Sequence, residues 1–383
     1  MDLDNIIYFD NSSTTKPCET AVKYINKQLS ENWGNPSSLH TMGIYAEEEL
    51  TKTRNCISGV ISSRPDEIYF CGSGTEANNI AIMGAALANK RRGNKIITSA
   101  VEHHSVLETV DALEKQGFEV VKLKPDKNGR INEEQIYNAV DDKTILVSLM
   151  LVNNELGTIM PVESIKRAVI DKNSPAIIHC DSVQAFGKLP INVQKLGVDL
   201  LSASAHKIHG PKGVGFLYKK KNLHIETYIH GGGQEHGLRS GTESVPLISG
   251  LRGAVEELPN TALQLEKQLD LWNYAYNKLI DSGLASINSP IEHCLPYILN
   301  ISVNGYRSET LLHFLDSKGI FVSSGSACAK GQKSHVMTEC GFDNKRIDSA
   351  LRLSFCRYNN KKEIERFCDV LKEACTTLRK AQK

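Results

Sequence analysis

The sequence predicts an α/β protein with a mostly parallel central sheet, helices on both of its faces, and a smaller α+β domain alongside. Three observations carry that expectation. Between about residues 65 and 220, apolar β-rich runs alternate with amphipathic helical stretches, the order that builds a parallel sheet covered on both sides. From about residue 255 the texture changes to longer helical stretches with a few strands, as in a separate α+β unit. The 383 residues, 40% hydrophobic and 23% charged, with 28 glycines and 12 prolines, are ordinary for a globular protein. That composition excludes collagen-like, coiled-coil and disordered classes and is enough chain for two or three domains.

Taken in chain order, the strand candidates are Glu67–Phe70, Lys95–Thr98, Glu119–Leu123, Thr144–Leu149, Ala176–Cys180 and Leu200–Ala203. In such a sheet, ligands belong at the carboxyl ends of the strands. Gly213–Tyr218 reads as a further strand, and Lys219 to Lys221 as the solvated turn that ends it. Tyr297–Ser302 is a strand of the second unit, and Ile364, Phe367, Leu371, Cys375 and Leu378, spaced by three and four, mark the apolar face of a terminal helix. No repeat, low-complexity tract or Pro/Gly/Ser-rich linker divides the chain, so a second domain shares its core closely with the first.

A net charge of +1 leaves no footprint for nucleic acid or an anionic membrane. The first residues lack a basic and then apolar leader, and no apolar run approaches the ~20 residues of a membrane helix, so a cytoplasmic protein is expected. The ten cysteines are scattered without a C-x-x-C pair, which argues against a zinc ribbon or a disulfide framework. In a reducing compartment such thiols mostly serve as small buried apolar groups.

Four stretches stand where ligands belong. Cys71-Gly72-Ser73-Gly74-Thr75-Glu76-Ala77-Asn78 follows a strand and opens a helix running to about Asn89; its glycines allow close approach, and the helix N-terminus offers free N–H groups to a phosphate. The same residues fit Gly-x-Gly-x-x-Ala, but the acidic partner a dinucleotide fold needs about 20 positions on is missing, because Glu102 comes too late. No Gly-Lys-Ser/Thr completes a P-loop. His103 lies just past the next strand. Asp181 ends another, with Gln184 three residues on, and Ser204-Ala205-His206-Lys207 ends a fourth. Singly, such an aspartate is commonly a helix cap and such a lysine a solvated loop residue. Together with a phosphate site they fit pyridoxal phosphate: a lysine for the Schiff base, and a carboxylate that keeps the pyridine nitrogen protonated. His206 and His209 have a ligand-like spacing, but no carboxylate or cysteine completes a metal site.

In this order of motifs the chain resembles the NifS/IscS-type cysteine desulfurases of the class V aminotransferase group. The resemblance spans nearly the whole sequence: Tyr8-Phe9-Asp10-Asn11, Gly34-Asn35-Pro36-Ser37-Ser38 with His40, Gly74-Thr75-Glu76, Val152-Asn153-Asn154-Glu155-Leu156-Gly157, Asp181-Ser182-Val183-Gln184, Ser204-Ala205-His206-Lys207, Arg239-Ser240-Gly241-Thr242-Glu243, Ser323-Ser324-Gly325-Ser326-Ala327-Cys328 and Leu351-Arg352-Leu353-Ser354. It implies the type I pyridoxal-phosphate transferase fold, with a large cofactor domain over residues 15–255 and a small domain formed by 1–14 with 256–383. It also implies that Gly74, Thr75, Ser204 and His206 hold the phosphate, that His103 stacks on the pyridine ring, that Asp181 pairs with its nitrogen and Gln184 with its phenolic oxygen, and that Lys207 carries the cofactor. Asn35, Asn154 and Arg352 would receive the substrate carboxylate, for which a guanidinium is suited. Thr242 matches a residue that reaches the phosphate of a neighbouring subunit, so a homodimer is expected.

Cys328 differs from the other thiols. Small residues flank it on both sides, as in a mobile loop, and Lys330 and Lys333 favour its thiolate. The resemblance makes it the nucleophile that takes the sulfur of L-cysteine as a persulfide, releasing L-alanine, for delivery to an iron–sulfur scaffold or another acceptor. His103 would assist proton transfer. Two departures stand out: serines at 12 and 13 where the family usually has alanines, and a stretch from Cys328 to His335 a few residues shorter than in housekeeping members, which limits the reach of a persulfide. A selenocysteine lyase would share every motif. A nicotinamide dehydrogenase rests on the glycine pattern alone, and a non-catalytic scaffold would have no use for Lys207 and Cys328.

Overall fold

The computed structural model describes residues 6–324 and 333–380. Its strands are β1 (Ile7–Tyr8), β2 (Ile68–Cys71), β3 (Lys95–Ser99), β4 (Glu119–Leu123), β5 (Thr144–Ser148), β6 (Ile177–Asp181), β7 (Leu200–Ser204), β8 (Gly215–Lys219), β9 (Ser286–Ile287), β10 (Ile298–Ser302), β11 (Ile320–Phe321) and β12 (Ala350–Ser354). Seven form one sheet in the order β2-β8-β7-β6-β5-β3-β4. All run in the same direction except β8, which is antiparallel to both β2 and β7. The predicted α/β class and mostly parallel sheet are what the structure has.

Burial follows position in the sheet. Every residue of β5, β6 and β7 is buried, because helices cover both faces of the central strands. The edge strand β4 instead turns Glu119 and Lys122 outward, which blunts its unpaired edge. The eighth strand starts two residues later than the sequence implied, because Gly213 takes a left-handed turn with φ of 83° and so leaves the extended run. The fifth ends at Ser148, one residue short of the expected Leu149.

The second unit has its own antiparallel sheet, β12-β10-β9, and β1 pairs with β11 beside it. A separate hydrophobic cluster gathers Phe9 with Trp272, Leu299, Leu353, Phe367 and Leu371. Trp272 donates its indole N–H to Ile298 O at 2.8 Å, fixing the long helix Thr261–Ser282 across β10. The terminal helix spans Lys361–Thr377 and buries Ile364, Phe367, Val370, Leu371 and Ala374. It starts at an Asn360–Glu363 capping box and ends one residue before Leu378. Among the described residues no helix is long and apolar enough to cross a membrane.

Candidate active site

Because all strands of the large sheet but β8 point one way, their carboxyl ends converge on one rim. Past β2 comes Ser73-Gly74-Thr75, past β3 His103, past β5 Asn154, at the end of β6 Asp181, and past β7 Lys207. A cavity of about 320 Å³ opens on this rim, and Gly74, Thr75, His103, Asn154, Asp181, Gln184, Ser204, His206, Lys207 and Arg352 all line it. Of the residues the sequence singled out, Asn35 and Thr242 do not line it; both are exposed. Cys328 lies outside the described residues.

The helix Gly74–Asn89 aims its N-terminus at the cavity. Ser73 caps it, accepting from Glu76 N at 3.1 Å, and Glu76 is held in turn by Arg239 Nε at 2.6 Å. The first-turn amides of Gly74 and Thr75 have no intrahelical partner. Glycine is required at 74 by close approach: a Cβ there would stand 2.6 Å from Val183 Cγ2.

Asp181 is fixed on both oxygens. Oδ1 accepts from Val183 N at 2.9 Å, and Oδ2 from Asn78 Nδ2 at 2.7 Å. The other hydrogen of Asn78 Nδ2 goes to Ser105 Oγ at 2.9 Å. Ser105 then donates to His103 Nδ1 twice, from its hydroxyl at 2.8 Å and from its backbone N–H at 3.1 Å. With Nδ1 an acceptor, the network assigns the imidazole proton to Nε2. Burial pushes the His103 imidazole below its usual pKa; Asp181 opposes that, and Lys207 and His104 add to it. A neutral ring with a defined tautomer results. The sequence did not single out Asn78 or Ser105. The available signal was spacing, since Asn78 lies one helical turn past Gly74 on the same face, with buried Ala77 and Ala81 beside it.

Lys207 sits in a single 3₁₀ turn after β7 and donates to the carbonyls of Ser12 at 2.5 Å and Ser13 at 2.7 Å. Nearby, His206 is pushed down to about 4, first by burial and then by Lys207, Lys212 and Lys188, so it is a neutral hydrogen-bonding group and not a cation. Arg352, which lines the same cavity, is buried and donates to Asn154 O at 2.9 Å, Asp10 Oδ1 at 2.9 Å and Ser13 Oγ at 2.7 Å. Its Nε is buried without a hydrogen bond among the described residues. Asp10 offsets part of the guanidinium charge.

Two carboxyls behind the rim were also not singled out as site residues. Glu102 is fully buried, accepting from Ser99 Oγ at 2.6 Å and Met150 N at 2.9 Å, and burial raises its pKa to about 8. Glu155 accepts from Ser334 Oγ and is raised to about 7 by burial, against the opposing pull of Ser334 and Arg352. Ser334 caps the helix His335–Glu339, so Glu155 ties that helix start to the cavity wall.

The residues present fit pyridoxal phosphate. A helix N-terminus with free amides and the Ser204 hydroxyl meet a phosphate; an anchored carboxylate faces a pyridine nitrogen; an amine and a flat imidazole complete the set. The close approach at Gly74, where a Cβ would stand 2.6 Å from Val183 Cγ2, is the local feature that would accommodate the phosphate end.

A sequence model of the class-V aminotransferases matches residues 7–367. The chain is 40% identical to the cysteine desulfurase IscS of Methanosarcina thermophila over 382 residues, covering 97% of this chain and 93% of the relative. It is 40% identical to the putative cysteine desulfurase IscS 1 of Bacillus subtilis, covering 94% of this chain and 96% of the relative. A solved NifS-like protein superposes with a TM-score of 0.91 at 38% identity, covering 97% of this chain and all of that one. SspA, solved in complex with cysteine, superposes with a TM-score of 0.81 at 33% identity, covering 92% of this chain and all of that one.

Proposed function

Since the chain belongs to the class-V aminotransferase family, whose cofactor is pyridoxal phosphate, we propose that it is a cysteine desulfurase that converts L-cysteine to L-alanine and takes the sulfur onto Cys328. The observation that carries the chemistry is the convergence of Asp181, Lys207, His103, Arg352 and the Gly74–Thr75 helix terminus on one cavity. When bound, pyridoxal phosphate supplies an electron sink for the substrate's amino-bearing carbon.

The chain's own residues do the rest. The amides of Gly74 and Thr75, with Ser204 and neutral His206, hold the phosphate end. Asp181 holds a proton at the ring nitrogen, and its bonds from Asn78 and Val183 keep the carboxylate pointed there. Gln184 faces the phenolic oxygen. His103 would cover the ring, with its Nε2–H edge left available by the bonds that Nδ1 accepts from Ser105. Lys207 Nζ would hold the cofactor and, with L-cysteine bound, would move the proton at the substrate's Cα. Arg352 and Asn154 orient the substrate carboxylate, with Asn35 assigned to the same task. The Cys328 thiolate then attacks the substrate sulfur: an S–S bond forms, the C–S bond breaks, its electron pair stays with the carbon skeleton, and a proton delivered there gives alanine. Lys333 and Ser334, the first described residues after the Cys328 segment, line the cavity, which supports placing that thiolate's target there.

The reading extends to the molecule. Residues 15–255 form the cofactor domain and 1–14 with 256–383 the small one. Two copies act as a homodimer in which Thr242 of one reaches the phosphate of the other, and a protein such as an iron–sulfur scaffold receives the persulfide. The test is the purified protein's visible spectrum, with alanine and sulfide release from L-cysteine in wild type, Lys207→Ala and Cys328→Ala. Lys207→Ala is expected to lose all turnover and Cys328→Ala to lose sulfide release. A wild type that cannot be made yellow with pyridoxal phosphate would overturn the assignment, and undiminished sulfide release by Cys328→Ala would overturn the persulfide step.

A further inference from the structure

Lys188 has no part in the reaction just described, and its surroundings call for a reason. It is 7% exposed, and among the described residues it makes no ion pair. Its hydrogen bond is from Nζ to Gln184 Oε1 at 3.3 Å, and the Tyr297 ring lies 5.7 Å from the amine. Burial pushes the amine down to about 7, and Lys207 and Arg352 add to the depression while Cys356 opposes it. A buried amine without a counter-charge is costly, and an aliphatic chain of the same length would fill the space at less cost.

What the amine touches supplies the reason. Gln184 lines the main cavity, while Lys188 lines a smaller one behind it, together with Tyr297 and Cys356; Lys207 borders both. The Gln184 amide donates Nε2 to Ser12 O at 2.9 Å, the same carbonyl that accepts from Lys207 Nζ. A carboxamide is nearly symmetric in shape, and turning it over would present an acceptor where a donor stood. Ser12 O accepts from the NH₂ side and Lys188 donates to Oε1 from the other, so the two together break that symmetry, and the protonated amine can be received only by the oxygen.

We propose that Lys188 is a positioning residue: by holding Gln184 at Oε1 it keeps the NH₂ edge of the amide toward the cavity, so that the electron-rich ring oxygen of the cofactor meets a donor. The proposal rests on the reading of Gln184 given above. It assigns Lys188 no contact with cofactor or substrate; its effect passes through the amide alone.

The experiment is titration of the apo-protein with pyridoxal phosphate, followed by absorbance, for Lys188→Met, Gln184→Leu and the double variant. Lys188→Met is expected to bind the cofactor about tenfold more weakly, the scale of one hydrogen bond, and to shift the visible band. The double variant is expected to be no worse than Gln184→Leu alone. Lys188→Gln, which keeps a donor, is expected to recover part of the loss. Lys188→Leu serves the same purpose should Lys188→Met not fold, and melting of the apo-protein is expected to be unchanged or raised by either, since a buried amine is removed. Unchanged affinity and band in Lys188→Met beside a defective Gln184→Leu would overturn the proposal, as would effects that add in the double variant. An unaffected Gln184→Leu would overturn the role of Gln184 and this inference with it, while cofactor binding by wild type would leave the family's chemistry standing.

Discussion

Glu102 precedes His103 in the chain but turns into the protein, where both of its oxygens accept hydrogen bonds from Ser99 and Met150. Its pKa in the fold, about 8, is above the ordinary carboxyl value of 4.5. A raised carboxyl favours the fold fully below the unfolded value, and that contribution is lost as pH rises through the folded one. At about 1.4 kcal/mol for each pKa unit, wild type is expected to lose several kcal/mol between about pH 4.5 and 8 at this residue. Glu102→Gln keeps an acceptor for Met150 N and gives Ser99 Oγ a donor, with no charge to bury. The melting temperatures of the two proteins should therefore diverge in favour of the variant from pH 5 to pH 9; parallel curves would exclude the assignment. The buried histidines act in the opposite window: His179, His206 and His209, at about 3, 4 and 4, favour the fold above about pH 6.5 and lose that contribution as pH falls toward 4. In the sequence Glu102 could be read only as an acid in the wrong place for a ribose. Its burial is set by Met150 and Ser99, and neither neighbour in space follows from spacing along the chain. The placement of Lys207, Asp181 and His103 was legible because they follow strand ends, which apolar runs mark; Asn78 and Ser105 were not, because they are joined by a hydrogen bond between two separate elements.

The element that matters most to the site is the turn from β2 into the helix Gly74–Asn89. Its cradle exists because position 74 lacks a Cβ, and β8 presses against it from the other side: a Cβ on Gly215 would come within 2.9 Å of Ser73 C. Gly74→Ala must push either Val183 or the helix start away. The expected result is a loss of about 1–3 kcal/mol in stability, typical of overpacking, and a weakening of pyridoxal phosphate binding greater than that of a conservative change elsewhere on the helix, such as Ala81→Gly. Absorbance titration and thermal melting together check this; a variant that melts lower but binds the cofactor normally would separate the cradle from the phosphate site. The sequence disclosed this turn and the helix that follows it, because a strand, a glycine pair and a cap occur in sequence. It disclosed β8 as a strand but not its antiparallel direction, which is decided by the path of the chain between β7 and β8. β1, β9 and β11 have two residues each, too few for a period, and exist only through their partners.

For the whole molecule, the length and the change of apolar texture after about residue 255 indicate two packed units, and nothing in them locates a surface meant for another chain. The structure adds exposure. Between residues 33 and 45, Trp33 is 73% exposed, Leu39 98%, Ile44 52% and Tyr45 47%, and Leu39 and Ile44 border a shallow groove with Pro36. Large apolar side chains exposed together in one short segment fit the homodimer proposed above. Asn35, assigned to the substrate carboxylate, lies in the same segment without reaching its own chain's cavity, and Thr242 likewise stands exposed away from it. In the proposed homodimer, a second copy covering this segment would account for both facts, with residues of one chain completing the site of the other. Sedimentation equilibrium of the holoenzyme is expected to give twice the chain mass, and Leu39→Asp to reduce it to one chain mass. The same variant is expected to bind pyridoxal phosphate more weakly while keeping its fold by circular dichroism, because Thr242 of the partner would no longer stand at the phosphate. A wild type that remains a monomer while binding the cofactor fully would refute the shared site, and a monomeric Leu39→Asp with unchanged affinity would confine the surface to assembly.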